Sequence, residues 1–182
     1  MKFYLIKIAI RGVTPMVWRR LRVPANTSLV ILHEFIQIIN GWNDSNLHKF
    51  HIYGKDYGIN YVGGLHYPDD VYAVCLEDFN FEIGDKFTYE YNFFKHIIHD
   101  TRIEKIQELP DAKNLTICLS GSGMPDATKH DIAKVKYKFL KLIAAKRGKL
   151  TIKDVSHFGN KLARVEFNKN RVNLHLASKV KI

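Results

Sequence analysis

Three arginines, Arg19, Arg20 and Arg22, follow directly on Trp18. A guanidinium is planar and always charged, so it grips phosphate or carboxylate through paired N–H donors, and an adjacent indole offers a stacking surface. In an extended chain Arg20 and Arg22 share one face and Arg19 takes the other. The competing assignment is structural, with one arginine paired to an acid such as Glu34 or Glu90 and tying helix to sheet. Nine histidines raise metal and acid–base chemistry. His48 and His51 are three residues apart, as are His96 and His99, so on a strand each pair points to opposite faces and cannot chelate together. Asp69-Asp70 and Glu77-Asp78 have the character of solvated turns, and His99-Asp100 is an isolated neighbour pair. Cys75 and Cys118 lack CxxC spacing, which argues against a thiolate zinc site and for a reducing compartment. The run SGSGMP at residues 120–125 lacks the lysine and trailing helix of a phosphate-cradling loop. No metal ligand set and no cofactor is assigned from these spacings.

Charge is unevenly spread along the 182 residues. Residues 1–100 hold 10 Lys/Arg against 11 Asp/Glu, whereas residues 101–182 hold 18 against 7. A neutral front and a basic rear suit contact with nucleic acid or another polyanion, although scattered lysines also serve as a solvated face. On a helix, Lys134, Lys138 and Lys141 share one side, and Lys146 and Arg147 close its C-terminal end, where the helix dipole also favours cations. No helix-turn-helix or zinc-finger signature is present, so contact would run through phosphates.

These groups need elements to hold them. Alternating apolar residues predict strands over residues 3–11 and 17–23, with Pro24 as the stop. Thr27 or Ser28 is placed to cap a helix that carries Leu29, Leu32, Ile36 and Ile39 inward and ends at Gly41. A third strand over residues 47–53 closes on a turn at Gly54-Lys55. Residues 56–72, rich in Gly and Tyr, are expected as a long loop, and residues 75–81 as a short crossover. Residues 86–93 alternate again. Strand, strand, helix, strand, crossover, strand is the order of a ubiquitin-like β-grasp, an α+β fold in which a mixed sheet packs on one helix and its first and last strands run parallel at the centre. Residues 97–106 and 115–119 predict further strands and residues 132–146 a helix, while residues 155–182 are open between helix and hairpin. The expected organisation is a core of residues 1–95 with a basic α/β extension of residues 96–182 packed on it. The opening strand carries Lys7 and Arg11, unlike a signal peptide, and no window approaches the roughly 20 apolar residues of a membrane span. The expected location is the cytoplasm.

A set of motifs carries a resemblance. Pro15-x-x-Trp18-Arg19-Arg20, Val23-Pro24, Leu32-His33-Glu34, Gly41-Trp42, Leu47-His48-x-Phe50, Gly54-Lys55-x-Tyr57-Gly58 and Gly84-Asp85-x-Phe87-x-Tyr89-Glu90-Tyr91 occur in this order. Together they resemble the plasmid pRiA4b ORF-3-like family, and Cys118, Gly121 and Pro125 resemble its Cys-x-x-Gly segment. Where such proteins carry Tyr-Asp-Phe-Gly-Asp-x-Trp-x-His, this chain has YNFFKHIIH at residues 91–99, without the two acids and the Trp. The resemblance implies association with plasmids and insertion elements. The resolvase label that some members carry finds no support, because the opening strand has no serine.

The expectation from these residues is a non-enzymatic binding or adaptor module. Its contacts to nucleic acid would be Arg19, Arg20, Lys134, Lys138, Lys141, Lys146 and Arg147. The alternative is a metal-assisted or His-dependent hydrolase built from His33, His48 and His99, which all lie at motif positions. A third reading is a protein-interaction surface formed by Tyr57, Tyr61, Tyr67 and Tyr72.

Overall fold

The computed structural model describes residues 1–61, 64–109, 116–125 and 167–179. Alternation of apolar residues produces β1 (Lys2–Ile10) and β2 (Trp18–Pro24), which pair antiparallel. Helix α1 (Leu29–Asn40) follows. Ser28 occupies the extended N-cap position, yet its side chain makes no capping hydrogen bond, contrary to expectation. Gly41 does end the helix in the left-handed region at φ 73°, letting its own N–H and that of Trp42 reach the last-turn carbonyls. Strand β3 (His48–Ile52) turns tightly through Tyr53 and Gly54, both at positive φ, into β4 (Lys55–Gly58). The expected loop over residues 56–72 therefore opens as a strand.

A single 3-10 turn (Leu76–Phe79) provides the crossover to β5 (Lys86–Tyr91). Strands β6 (Ile97–Glu108) and β7 (Ile117–Ser122) complete a seven-stranded sheet in the order β4-β3-β5-β6-β1-β2-β7. Every neighbouring pair is antiparallel. The expected parallel contact between the first and last core strands is not made, because β6 lies between β1 and β5 and pairs with both. The architecture is thus α+β with a large antiparallel sheet. β6 comes after the expected boundary at residue 95 yet sits in the middle of this sheet.

A second helix among the described residues, α2 (Lys169–Lys179), resolves part of the ambiguous tail. Asn173 on it clamps β7 by donating to the Cys118 carbonyl at 3.0 Å and accepting from the Cys118 N–H at 2.8 Å. Leu29, Leu32, Phe35, Ile36 and Ile39 of α1 join Tyr4, Ile6, Ile8, Leu21, Val23, Phe87, Tyr89 and Ile103 of the sheet in one buried cluster, which Leu176 of α2 also enters. One sheet face is thereby committed to the core. The predicted helix over residues 132–146 lies outside the described residues.

Candidate functional site

Helix geometry places His33, Gln37 and Asn40 on one side of α1, at spacings of four and three. That side is buried, so these polar groups need partners, and the sheet supplies them. The backbone N–H of Asp44 donates to Gln37 Oε1 at 3.1 Å, which fixes the amide orientation and leaves Gln37 Nε2 donating to the Tyr89 hydroxyl at 3.0 Å. Tyr89 then gives its own hydrogen to His33 Nδ1 at 2.8 Å, and His33 Nε2–H faces Asp44 Oδ1 at 2.8 Å. Asp44, at φ 54°, stands in the left-handed region, which Asp tolerates better than most residues.

The His48 ring stacks on His33, with centroids 3.5 Å apart and planes 11° from parallel. His99 is not part of that stack. It lies beyond Tyr89, edge-on to that ring at 5.3 Å, and meets Asn40 Nδ2 through Nε2 at 3.1 Å. Burial lowers His33 to about 4 and His99 to about 4. Burial and the adjacent His33 together lower His48 to about 3. All three rings are neutral at neutral pH, so His33–Asp44 is a hydrogen bond between an imidazole and a carboxylate rather than an ion pair.

Asp44 and His48 line a cavity of about 330 Å³ whose other walls include Asn46, Ile59, Tyr61 and Phe93. Among the described residues, no hydrogen bond reaches the His48 imidazole, although the residue is only 5% exposed. Sequence reasoning placed His33, His48 and His99 together; the structure brings the first two into contact and sets the third behind Tyr89. It missed Asp44, Gln37 and Asn40. The two amides carried a readable signal, since they are polar residues on the apolar side of a helix.

The arginines separate sharply. Arg19 shares the core face of β2 with Leu21 and Val23 and is 1% exposed. Its guanidinium donates to the carbonyls of Ile39 (3.0 Å), Trp18, Ser122 and Gly123 (each 2.8 Å), and Phe167 packs over it at 4.2 Å. Burial lowers its pKa to about 10, still charged at neutral pH. It joins the end of α1 to the end of β7 and is not available to an external anion. Arg20 lies on the outer face and forks onto Glu104, not onto the expected Glu34 or Glu90.

That outer face holds a row of cations. In the cross-strand register Lys86 faces Arg102, Arg102 faces Lys7, and Lys7 faces Arg20. Like charges directly opposite each other destabilise a sheet. Among the described residues only Arg20 of the four has an ion-pair partner. Lys7, Arg11, Lys86 and Arg102, together with Asp100, which pairs with Arg11, line an open trough of about 730 Å³. Trp18 lies beside it, with Lys7 and Arg20 over its ring at 5.4 and 5.2 Å.

Lys134, Lys138, Lys141, Lys146 and Arg147 lie outside the described residues. Of the four tyrosines, Tyr67 is buried and Tyr57 packs edge-on against Phe79, while Tyr61 and Tyr72 are exposed. Cys118 is buried and its thiol is pushed up to about 11, an environment unsuited to a nucleophile.

The family model described as plasmid pRiA4b ORF-3-like protein matches residues 2–175. The uncharacterized protein y4hQ of Sinorhizobium fredii is 32% identical over 101 residues, 55% of this chain and 52% of that protein. The match thus spans about half the length of that curated relative. The crystal structure of MM3350 from Methanosarcina mazei Go1, a protein of unknown function, aligns with a TM-score of 0.60 at 26% identity, covering 75% of this chain and 82% of that one. No helix among the described residues is long and apolar enough to cross a membrane.

Proposed function

The chain belongs to the plasmid pRiA4b ORF-3-like family, and from that premise we propose that it is a non-enzymatic nucleic-acid-binding module working through the outer face of its sheet. The observation that carries this reading is the row Lys86–Arg102–Lys7–Arg20 across four adjacent strands. At about 4.8 Å between strands, the row spans about 14 Å and presents its cations along one line. In the free protein Glu104 offsets Arg20, Lys7 and Arg102, and Asp100 offsets Lys86, so a bound polyanion would compete with two acids for the row. Trp18 beside the row adds a face on which a base can stack, which suits a single strand better than a duplex. The basic rear with Lys134, Lys138, Lys141, Lys146 and Arg147 extends the same attraction, and the surplus of cations over residues 101–182 supports it.

In this reading Arg20 steadies the row through Glu104, and Arg19 serves the fold alone. The strand and helix order is that of a ubiquitin-like β-grasp into which β6 has been inserted beside β1. The proposed setting is the cytoplasm, with a link to the plasmids or transposable elements that the family resemblance implies.

The test is a salt series with a single-stranded oligonucleotide and a duplex of equal length. The reading requires micromolar binding that falls linearly on a log–log plot of affinity against salt, with the single strand preferred. Absence of binding at low salt removes it. A second reading, a His-dependent hydrolase, is favoured by one observation: the stacked His33 and His48 stand beside Asp44 at a cavity wall. Turnover of a generic ester or phosphoester that is lost in His48→Gln would support that reading, and absence of turnover would remove it.

A further inference from the structure

We infer that His33, Asp44 and His48 form a binding site for one divalent transition-metal ion of the zinc type, entered from the cavity that Asp44 and His48 line. The inference depends neither on nucleic-acid binding nor on catalysis. One ligand atom from each of the three side chains lies within 4.8 Å of the others. Donors at about 2.0–2.2 Å around a tetrahedral ion sit about 3.4 Å apart, so the ligand atoms are near that spacing although one ring must reorient. Two imidazoles and one carboxylate are the donor set that zinc and its neighbours favour over magnesium or calcium.

The surroundings fit that use. His33 Nε2, whose hydrogen faces Asp44, is the nitrogen nearest the carboxylate, and ligation there releases that proton. His33 has its far nitrogen on the Tyr89 hydroxyl, and Gln37 ties that hydroxyl to the backbone of Asp44. Outer hydrogen bonds of this kind orient ligands in metal sites. His48 supplies the independent observation. This imidazole has no hydrogen bond among the described residues and borders the cavity, which leaves it available to a ligand entering there. The Asp44 side chain is 46% exposed and lines the same cavity.

One feature of the geometry must change on binding. With the rings stacked 3.5 Å apart and nearly parallel, their in-plane lone pairs run side by side and cannot both meet one ion. His48 is the ring that turns, because His33 is held at both nitrogens.

The test is calorimetric titration of the full chain with zinc chloride, with cobalt(II) absorption as a second readout. Expected are one ion per chain, a visible cobalt band of low coordination number, and affinity at least tenfold weaker in Asp44→Asn and in His48→Gln. The double variant His51→Gln, His96→Gln removes exposed histidines that pair with Asp56 and Glu90, and should leave binding unchanged. Should His48→Gln fail to fold, NMR line broadening by cobalt(II) in the unaltered protein decides, with residues 33 and 44–48 affected first. Absence of saturable binding, a loss confined to the His51→Gln, His96→Gln protein, or broadening centred on those exposed rings would overturn the inference.

Discussion

Replacing Arg19 by Met separates a structural arginine from a nucleic-acid-contacting one. Met keeps much of the stem but removes the guanidinium and its four hydrogen bonds to backbone carbonyls of α1, β2 and the end of β7. Hydrogen bonds from a charged donor contribute about 1.5–3 kcal/mol each, so the four together give about 6–12 kcal/mol. Taking a guanidinium out of water costs several kcal/mol in return, and the lowered pKa of Arg19 reflects that cost. Removing one member of a buried charged set costs about 3–5 kcal/mol, a large part of the 5–15 kcal/mol that holds a typical domain. With a urea m value of about 2 kcal/mol/M, the unfolding midpoint should fall by about 1.5–2.5 M at unchanged m. The same protein in dilute buffer should bind an oligonucleotide with an unchanged salt slope. A midpoint shift under about 0.5 M, or a salt slope lower by about one, would refute the assignment of Arg19 to the interior.

Three other perturbations have defined outcomes. The native pKa values of His33 (about 4), His48 (about 3) and His99 (about 4) lie below the unfolded value of about 6.5. Below that value the unfolded chain takes up protons that the native rings refuse. Stability is therefore complete above about pH 6.5 and falls towards pH 4 by up to about 4 kcal/mol per pH unit, flattening once the native rings titrate. Urea midpoints at stepped pH should show this, and a flat profile between about pH 6.5 and 4.5 would contradict the burial of these rings. Tyr89→Phe leaves Gln37 Nε2 and His33 Nδ1 without their shared partner and should cost about 1–3 kcal/mol in denaturant unfolding. Gly121→Ala puts a Cβ 2.7 Å from Arg19 Cδ and 2.9 Å from the Trp18 carbonyl, against backbone that cannot yield, and should cost about 1–3 kcal/mol by the same measurement.

The local elements were readable because each announces itself within a few residues. Strands β1, β2, β3 and β5 come from alternation, and α1 from Leu29, Leu32, Ile36 and Ile39 with Gly41 at its end. Pairing was not readable, because no local pattern tells β6 to insert between β1 and β5. β4 escaped because KDYG has no alternation, and its only signal was the tight turn before it. Arg19 was misjudged although the period of two already placed it with Leu21 and Val23 on the core side. A charge there demands buried acceptors, and the carbonyls of α1 and β7 become visible only in three dimensions. The cation row had the same obscurity: Lys7, Arg20, Lys86 and Arg102 are remote in sequence and align only through strand register. Asp44 joins His33 through a left-handed backbone residue that sequence spacing does not reveal.

The measurement that bears most directly on function is oligonucleotide binding by fluorescence anisotropy across a salt series, comparing the unaltered chain with the triple variant Lys7→Gln, Lys86→Gln, Arg102→Gln. Three lost phosphate contacts on a single strand should lower the log–log salt slope by about two and weaken low-salt affinity at least tenfold, with folding retained. Substituting Lys134, Lys138 and Lys141 by Gln in parallel divides the attraction between the sheet face and the basic rear. An unchanged slope and affinity in the sheet-face variant would contradict the claim that this row is where the protein meets nucleic acid.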